Sequence, residues 1–314
     1  MATKNDVLKI LISNSNDYIS GETLASQLGK SRAAIWKAVK SLQKEGYVID
    51  AVTNRGYRLG EDNDILNAQI VKSKLANDIE VIYYPTIDST NTQAKRLINE
   101  GKNNTMLLIA DEQTAGRGRQ GKSFYSPALT GIYMTLVTHP MTALQNAVTA
   151  TTAAAVAVCK AVEKLTDKKP KIKWVNDVYL SGKKICGILT EAVTDFETQT
   201  VTSVVIGIGM NIKTVDFPDS VENASCLSAN VKRADLIAAI TDELIKINSS
   251  DYSDFISYYR THSMIIGEKI NFIKNDMVTP ATAVAIDEFG GLVVELENGE
   301  TITLRSGEIS IRKR

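Results

Sequence analysis

The chain has 314 residues, enough for two or three domains with a sizeable core. Lys+Arg and Asp+Glu stand at 36 each, so the chain as a whole advertises no polyanion partner. The longest apolar tract, Ala147 to Val158, is broken by threonines and too short to span a bilayer, which excludes a membrane protein of the helical kind.

Charge is unevenly spread: through Gly60 there are nine Lys/Arg against five Asp/Glu, a surplus of four that the remaining residues offset. The cysteines, Cys159, Cys186 and Cys226, are odd in number, widely spaced and without metal-ligand spacing. They predict reduced thiols and, with no signal peptide evident at the start, a cytoplasmic setting.

In chain order, Val7 to Ile12 predicts a first helix, closed by a polar turn from Ser13 to Asp17. Gly21 to Gly29 predicts a short second helix, and Ser31 caps a third from Arg32 to Lys44, with Ile35, Val39 and Leu42 at helical period. Ala25, Gly29 and Ile35 have the spacing of a helix-turn-helix. Tyr47-Val48-Ile49 and Tyr57-Arg58-Leu59 flank Thr53-Asn54-Arg55-Gly56 as a two-stranded wing. Positive charge on Arg32, Lys37, Lys40, Lys44, Arg55 and Arg58 would face a duplex, which makes this unit a winged helix-turn-helix that binds DNA. Ser31, Arg32, Lys37, Lys40 and Arg55 are the candidate DNA contacts. A purely structural or protein-binding role is the alternative.

The acidic, polar stretch from Glu61 to Asn67 reads as a linker. Glu80 to Tyr84 alternates as a strand, and Asp88-Ser89-Thr90-Asn91 opens a helix whose cap needs only one of these four polar residues. The surplus hydroxyls and free helix-start amides suit a small polar ligand. After the apolar strand Met106 to Ala110 comes Asp111 to Pro127, in which Gly116, Gly118 and Gly121 alternate with Arg117, Arg119 and Lys122. Such a run predicts a loop anchored at one end, mobile beyond it, that closes around an anion. It is neither a Walker loop nor a dinucleotide fingerprint, because strand Gly131 to Val137 follows it rather than a helix.

An alanine-rich helix from Leu144 to Leu165 leads to Lys171-Ile172-Lys173-Trp174-Val175-Asn176-Asp177-Val178-Tyr179-Leu180, a Ser181-Gly182 turn, and Lys183 to Glu191. The pattern predicts a hairpin that brings Lys173, Asn176, Asp177 and Lys184 together, a set suited to a magnesium-bound polyphosphate. Strand Thr200 to Gly209 ends in Gly207-Ile208-Gly209-Met210-Asn211, glycines that predict ligand approach at a strand end beside the Asn211 amide. Helices Arg233 to Ile247 and Asp251 to Tyr259 follow. From Gly267, short strands divided by Lys274-Asn275-Asp276, Phe289-Gly290-Gly291 and Asn298-Gly299 predict a small antiparallel barrel. His139 and His262 stand without a nearby nucleophile and read as structural or surface residues.

Taken together, these motifs make the chain resemble the bifunctional biotin protein ligases, the biotin operon repressors. Gly116-Arg117-Gly118-Arg119-Gln120-Gly121 resembles the family's biotin loop. Lys173-Trp174-Val175-Asn176-Asp177 resembles its Lys-Trp-Pro-Asn-Asp, and Lys184 to Glu191 its Lys-x-x-Gly-Ile-Leu-x-Glu. Ser89-Thr90-Asn91 and Gly207 to Asn211 match too. Two positions depart: Val175 stands where proline is usual, giving up a preset backbone, and Phe124 where tryptophan is common, keeping an aromatic ring.

The resemblance implies an α+β multidomain chain. Residues 1–62 would be the winged helix-turn-helix, 67–265 a ligase domain with a central mixed sheet and helices on one side, and 267–314 an SH3-like barrel. It implies ATP-dependent, AMP-forming biotin ligation through biotinyl-5′-AMP, with magnesium near Asp177. Arg119, Lys173, Asp177 and Lys184 would be catalytic. Ser89, Thr90, Asn91, Gln113, Gly116, Arg117, Arg119, Lys184 and Gly187 would bind biotin; Arg119, Gly121, Lys122, Phe124, Lys173, Asn176 and Asn211 would hold ATP or the adenylate. The implied partners are a biotin carboxyl carrier domain, operator DNA of biotin genes, and a second copy of the chain once adenylate is bound. A catalytically impaired biotin-sensing repressor and a lipoate-ligase-like enzyme are the alternatives.

Overall fold

A computed structural model describes residues 2–14, 17–44, 46–60, 64–139, 147–195, 197, 200–249, 252–274, 277–305 and 310–313. Three helices, α1 (Ala2–Ser13), α2 (Gly21–Leu28) and α3 (Arg32–Lys44), are followed by strands β1 (Ile49–Val52) and β2 (Gly56–Leu59). Ser20 caps α2 by accepting from Thr23 N at 2.9 Å, and Gly29, at φ 60, ends it in the left-handed conformation. Helix α3 buries Ile35, Ala38, Val39 and Leu42 and exposes its basic side chains. The wing pairs Ile49 with Leu59 and Val52 with Gly56. This is the expected winged helix-turn-helix.

Residues 15 and 16 of the expected polar turn, and 61–63 of the expected linker, lie outside the described residues. The rest of the linker is docked rather than solvated. Leu66 is buried, Asn67 Nδ2 donates to Tyr47 Oη at 3.1 Å, and Asp64 binds Arg233.

The central region contains α4 (Ala68–Lys72), β3 (Glu80–Ile87), α5 (Thr90–Asn99), β4 (Met106–Gln113), β5 (Gly131–Thr138), α6 (Ala147–Leu165), β6 (Lys171–Lys173), β7 (Asp177–Leu180), β8 (Lys183–Thr194), β9 (Val201–Asn211), α7 (Arg233–Ser249) and α8 (Tyr252–His262). Residues 144–146 and 251, expected to open α6 and α8, lie outside the described residues. The strands form one seven-stranded sheet in the order β3-β4-β5-β9-β8-β7-β6, parallel only between β3 and β4, hence mixed as expected. Alternation along β4 sends Leu107 and Ile109 to the face covered by α6, α7 and α8, and Met106 and Leu108 to the other. Most helices share one face, but α5 covers part of the second, packing Ala94 on Met106 and Leu108.

Strands β10 (Lys269–Lys274), β11 (Met277–Ile286), β12 (Leu292–Leu296), β13 (Thr301–Leu304) and β14 (Ser310–Lys313) make a five-stranded antiparallel sheet, ordered β13-β12-β11-β10-β14. Among the described residues no ladder joins β13 to β14 to close the ring. Asn275 and Asp276 of the turn between β10 and β11 lie outside the described residues. A single apolar cluster runs from Val7 of α1 through α6 to Val294 of β12, so the three segments share continuous packing. No helix among the described residues is long and apolar enough to cross a membrane.

Candidate active site and nucleic-acid surface

A cavity of about 950 Å³ opens over the ends of β4, β5, β8 and β9, where the first turn of α5 meets the sheet. Its floor is a polar network. Thr90 N and Oγ1 both donate to Gln113 Oε1, at 2.9 and 3.1 Å, and Gln113 Nε2 donates to Ser126 Oγ at 3.0 Å. Thr135 Oγ1 lies 2.7 Å from Asn91 Oδ1 and 2.8 Å from Thr90 Oγ1. Ser89 is the cap of α5, its hydroxyl accepting from Thr92 N. Asn91 lines the cavity, yet both ends of its amide are committed within the protein. Besides Thr135 it engages Leu189 O at 3.1 Å and Glu191 Oε2 at 2.9 Å.

Gly207 and Gly209 of β9 line the cavity, as the sequence predicts. A Cβ on Gly207 would overlap Asn91 Oδ1, and one on Gly209 would come within 2.6 Å of the Phe124 ring. Each glycine thus admits a neighbouring side chain while its backbone lines the cavity. Beyond them Asn211 lines the cavity but is largely buried, its Nδ2 donating to Ser225 O at 3.1 Å while its buried Oδ1 has no hydrogen-bond partner among the described residues.

Opposite this floor stand the charges of the β6-β7-β8 hairpin. Ser181 and Gly182, at φ 50 and φ 79, make its turn, as the sequence predicts. Lys184 and Gly187 are three residues apart, a spacing that would place them on opposite faces of a regular strand. A register shift between Val178 and Tyr179 leaves Asp177 opposite Gly187 and Tyr179 opposite Lys184, so all four reach one face. Lys184 Nζ lies 2.6 Å from Asp177 Oδ1, an ion-pair contact without hydrogen-bond alignment. Arg119 Nη1 donates to Asn176 Oδ1 at 3.2 Å, and Asn176 Nδ2 donates to Ile188 O at 3.0 Å. Burial lowers the Arg119 pKa while the Asp177 charge opposes the shift, and a guanidinium stays protonated throughout. Lys173 Nζ sits 5.7 Å from the Tyr179 ring centroid.

The glycine-arginine loop covers the mouth. Asp111 belongs not to the loop but to β4, where it is buried against Arg233. Nor is the loop a free segment beyond that anchor. Phe124 N donates to Gly116 O at 2.8 Å, Gly118 N to Lys122 O at 2.7 Å, and Gln113 N to Ser126 O at 3.1 Å, which folds the loop on itself as a hairpin. Arg117, half-exposed, lies 3.7 Å from Glu191 Oε1 and ties the loop to β8. Gly116 must lack a side chain because a Cβ would strike Phe124 O. Gly116 and Gly121 shape the loop without lining the cavity, whereas Arg117, Arg119, Lys122, Phe124, Lys173, Asn176, Asp177, Lys184, Gly187 and Asn211 all line it.

One wall went unforeseen. Phe217, Ser220, Glu222 and Asn223 line the cavity from a segment that looks like featureless loop in the sequence. Its anchors are backbone bonds, Lys184 N to Asn223 O and Ser225 N to Lys184 O, both 2.8 Å, which no residue type announces. Neither histidine lines the cavity: His139 Nδ1 lies 3.0 Å from Thr202 O, and His262 stacks on Tyr258 at 3.8 Å.

On the winged helix, Arg32, Lys37, Lys40 and Lys44 are exposed along α3. Ser31 Oγ accepts from Ala34 N at 3.2 Å as the helix cap, leaving its own proton to donate. At the wing, Arg55 and Arg58 stack on Tyr18, their Cζ atoms 4.6 and 4.8 Å from the ring centroid. Arg58 is paired with Asp50 at 2.8 Å, whereas Arg55 has no acidic partner among the described residues.

A polar pocket over a mixed sheet, walled by lysines and arginines and joined to a helix-turn-helix, defines a carboxylate-activating ligase with a nucleic-acid-binding module. The profile of the Biotin/lipoate A/B protein ligase family matches residues 83–211, that of the HTH domain residues 3–58, and that of the Biotin protein ligase C terminal domain residues 265–312. The bifunctional ligase/repressor BirA of Bacillus subtilis is 31% identical, covering 94% of this chain and 95% of its own. The protein of the same description from Escherichia coli is 30% identical, covering 94% of each chain. In three dimensions the biotin protein ligase of Aquifex aeolicus in complex with biotin and ATP is similar over 75% of this chain and 99% of its own, with TM-score 0.64 and 25% identity. The chain belongs to the biotin protein ligase family, in its bifunctional ligase/repressor form.

Proposed function

We propose that this protein activates biotin with ATP to biotinyl-5′-AMP, transfers the biotinyl group to a lysine of a biotin carboxyl carrier domain, and represses biotin genes through its winged helix. The observation that carries the reading is the convergence of Arg119, Lys173, Asn176, Asp177 and Lys184 over the Ser89–Gln113 floor. Bringing a carboxylate to a triphosphate sets anion against anion, and three cations at the meeting point offset that repulsion. A biotin carboxylate oxygen attacks the α-phosphorus as pyrophosphate leaves. The amine of the acceptor lysine then attacks the acyl carbon and AMP departs.

Ser89, Thr90 and Gln113 would hydrogen-bond the biotin ring, with Asn91 holding them in place. Gly116 and Gly187 would let the loop and β8 approach, and Arg117 would fasten the loop to Glu191. Arg119, Lys122, Lys173, Asn176 and Asn211 would take the nucleotide, Gly121 would allow the loop its turn, and the Phe124 ring would exclude water from the adenylate. Magnesium fits as a guest of the triphosphate. Among the described residues no group of three potential ligands exists to cage it, and of the cavity carboxylates, Asp177 and Glu222, Asp177 stands in the cation cluster with an oxygen lacking a hydrogen bond. Bound there it would neutralise phosphate charge. A dimer formed when adenylate is bound would supply the two half-site contacts that winged-helix operators require. Domain limits of 1–62, 67–265 and 267–314 follow from the same reading.

Biotin-dependent exchange of labelled pyrophosphate into ATP tests the first half-reaction without an acceptor. Exchange with biotin but not lipoate is expected; saturable biotin binding without exchange would leave a sensor stripped of its chemistry.

A further inference from the structure

Helix α3 carries a side chain that neither its own core nor the charge pattern explains. Trp36 is 53% exposed although it lies in the middle of the helix. The core face is already filled by Ile35, Ala38, Val39 and Leu42. Trp36 also makes no stacking or cation contact among the described residues. Single exposed apolar residues are ordinary on protein surfaces, and by itself this one would mean nothing. Its neighbours give it meaning. Arg32 and Lys40 lie one turn below and one turn above it on the same helix face, and exposed Ala33 beside it keeps that face low. A large aromatic is thus framed by the cations that would meet phosphates, on the helix a winged helix-turn-helix lays into the major groove.

We propose that Trp36 reads thymine: its indole packs on the C5-methyl group of a thymine in the major groove of the operator, while the flanking Arg32 and Lys40 hold the phosphates. The proposal rests on the DNA-binding reading of the winged helix. Within the major groove the thymine methyl is the one apolar group a base edge presents, so an aromatic surface brought there by flanking cations has one matching target. Phosphate contacts position the helix without reading sequence, and Trp36 supplies the reading they lack.

The test uses full-length protein with biotin, ATP and magnesium, and duplexes that the wild-type protein selects from a randomised library. Trp36→Ala is expected to bind the selected duplex about 10-fold more weakly, with binding to random duplex within about twofold of wild type. Replacing the thymines of the selected site one at a time by uracil removes only the methyl group. At one position uracil is expected to weaken the wild type several-fold and leave Trp36→Ala unaffected. Fluorescence gives an independent readout, because the chain has two tryptophans and the other, Trp174, is buried. Acrylamide quenching of the exposed indole should be lost on binding the selected duplex. If the wild type selects a site but Trp36→Ala binds it equally well, or no uracil position couples to Trp36, the assignment is wrong and the indole serves a protein contact instead. If the wild type selects no duplex, the DNA-binding reading itself falls and takes this assignment with it. Lys40→Ala separates the two kinds of contact: it should weaken all duplexes alike and lower the salt dependence by about one unit.

Discussion

Lys184 and Asp177 hold one another at 2.6 Å, so the cation meant for an incoming anion is neutralised until one arrives. A triphosphate carries more charge than one carboxylate and would draw Lys184 away from it. Lys184→Ala is therefore expected to lower biotin-dependent pyrophosphate exchange by about 10²- to 10³-fold, the loss seen when one preorganised charge donor is removed. Near-normal exchange would take Lys184 out of the chemistry. Glu191 shows the opposite arrangement. Burial pushes its carboxyl up, but hydrogen bonds from Lys95 and Asn91 outweigh burial, and its pKa lies below the ordinary 4.5. A carboxylate with a lower pKa folded than unfolded stabilises the fold above its unfolded value and loses that contribution as pH falls through the folded one. Stability should accordingly decline below about pH 4.5, and Glu191→Gln should flatten that part of the denaturation profile. An unaltered profile would show that other carboxylates govern acid unfolding. The reactive residues were legible because their chemistry is written in a short run: two lysines, an amide and a carboxylate within Lys173 to Lys184. The part played by Asn91 was not. Its partners Leu189 and Glu191 lie about a hundred positions away, and only the folded sheet brings them together.

At the scale of elements, the β6-β7-β8 hairpin is held from outside. Trp174 Nε1 donates to Gly290 O at 2.9 Å, in the turn between β11 and β12, and Tyr259 Oη of α8 donates to Val175 O at 3.2 Å. Val175 takes the place of a proline that would have preset the backbone, and these two contacts supply external restraint at the same point. The C-terminal sheet thereby reaches the residue next to Lys173 without lining the cavity itself. Trp174→Phe keeps the ring and removes the donor, leaving a buried carbonyl short of its partner. We expect a stability loss of about 1 to 2 kcal/mol, with a higher KM for ATP and unchanged biotin affinity. If KM and stability stay at wild-type values, the C-terminal turn does not position the hairpin. Periodicity and turn residues disclosed most elements, the Ser181-Gly182 turn among them. The register shift that brings Lys184 and Gly187 to one face was hidden, because regular alternation puts residues three apart on opposite sides. Likewise α5 covers the second face of the sheet through Ala94 in a helix whose pattern does not say which side it will choose.

Across the whole molecule, one buried cation joins what the sequence separates into domains. Arg233, 1% exposed at the start of α7, donates from Nη1 to Asp111 Oδ1 at 2.8 Å, and its backbone N donates to Asp64 Oδ1 at 2.8 Å. Asp64 lies in the connection from the winged helix, where Lys213 also reaches it at 3.1 Å; Asp111 lies in the strand that leads into the glycine-arginine loop, where Tyr83 Oη donates to Oδ2 at 2.6 Å. Neither acid drew notice as a partner in the sequence, since each reads as an ordinary polar residue until Arg233 arrives from more than a hundred positions away. Removing one member of a buried ion pair leaves its partner uncompensated, which typically costs about 3 to 5 kcal/mol. Arg233→Met should therefore destabilise the fold by roughly that amount, and changing Asp111→Asn in the same chain should recover a substantial part, because it removes the stranded charge. Asp64→Asn should be milder, since Asp64 is partly exposed, the amide oxygen can still accept from Arg233 N, and Asp111 remains paired with the guanidinium. Chemical denaturation of the single variants and of the Arg233→Met, Asp111→Asn double variant gives the coupling directly. Additive losses would mean that Arg233 and Asp111 act separately; a double variant more stable than Arg233→Met alone would identify their ion pair as the joint between the linker and the loop strand.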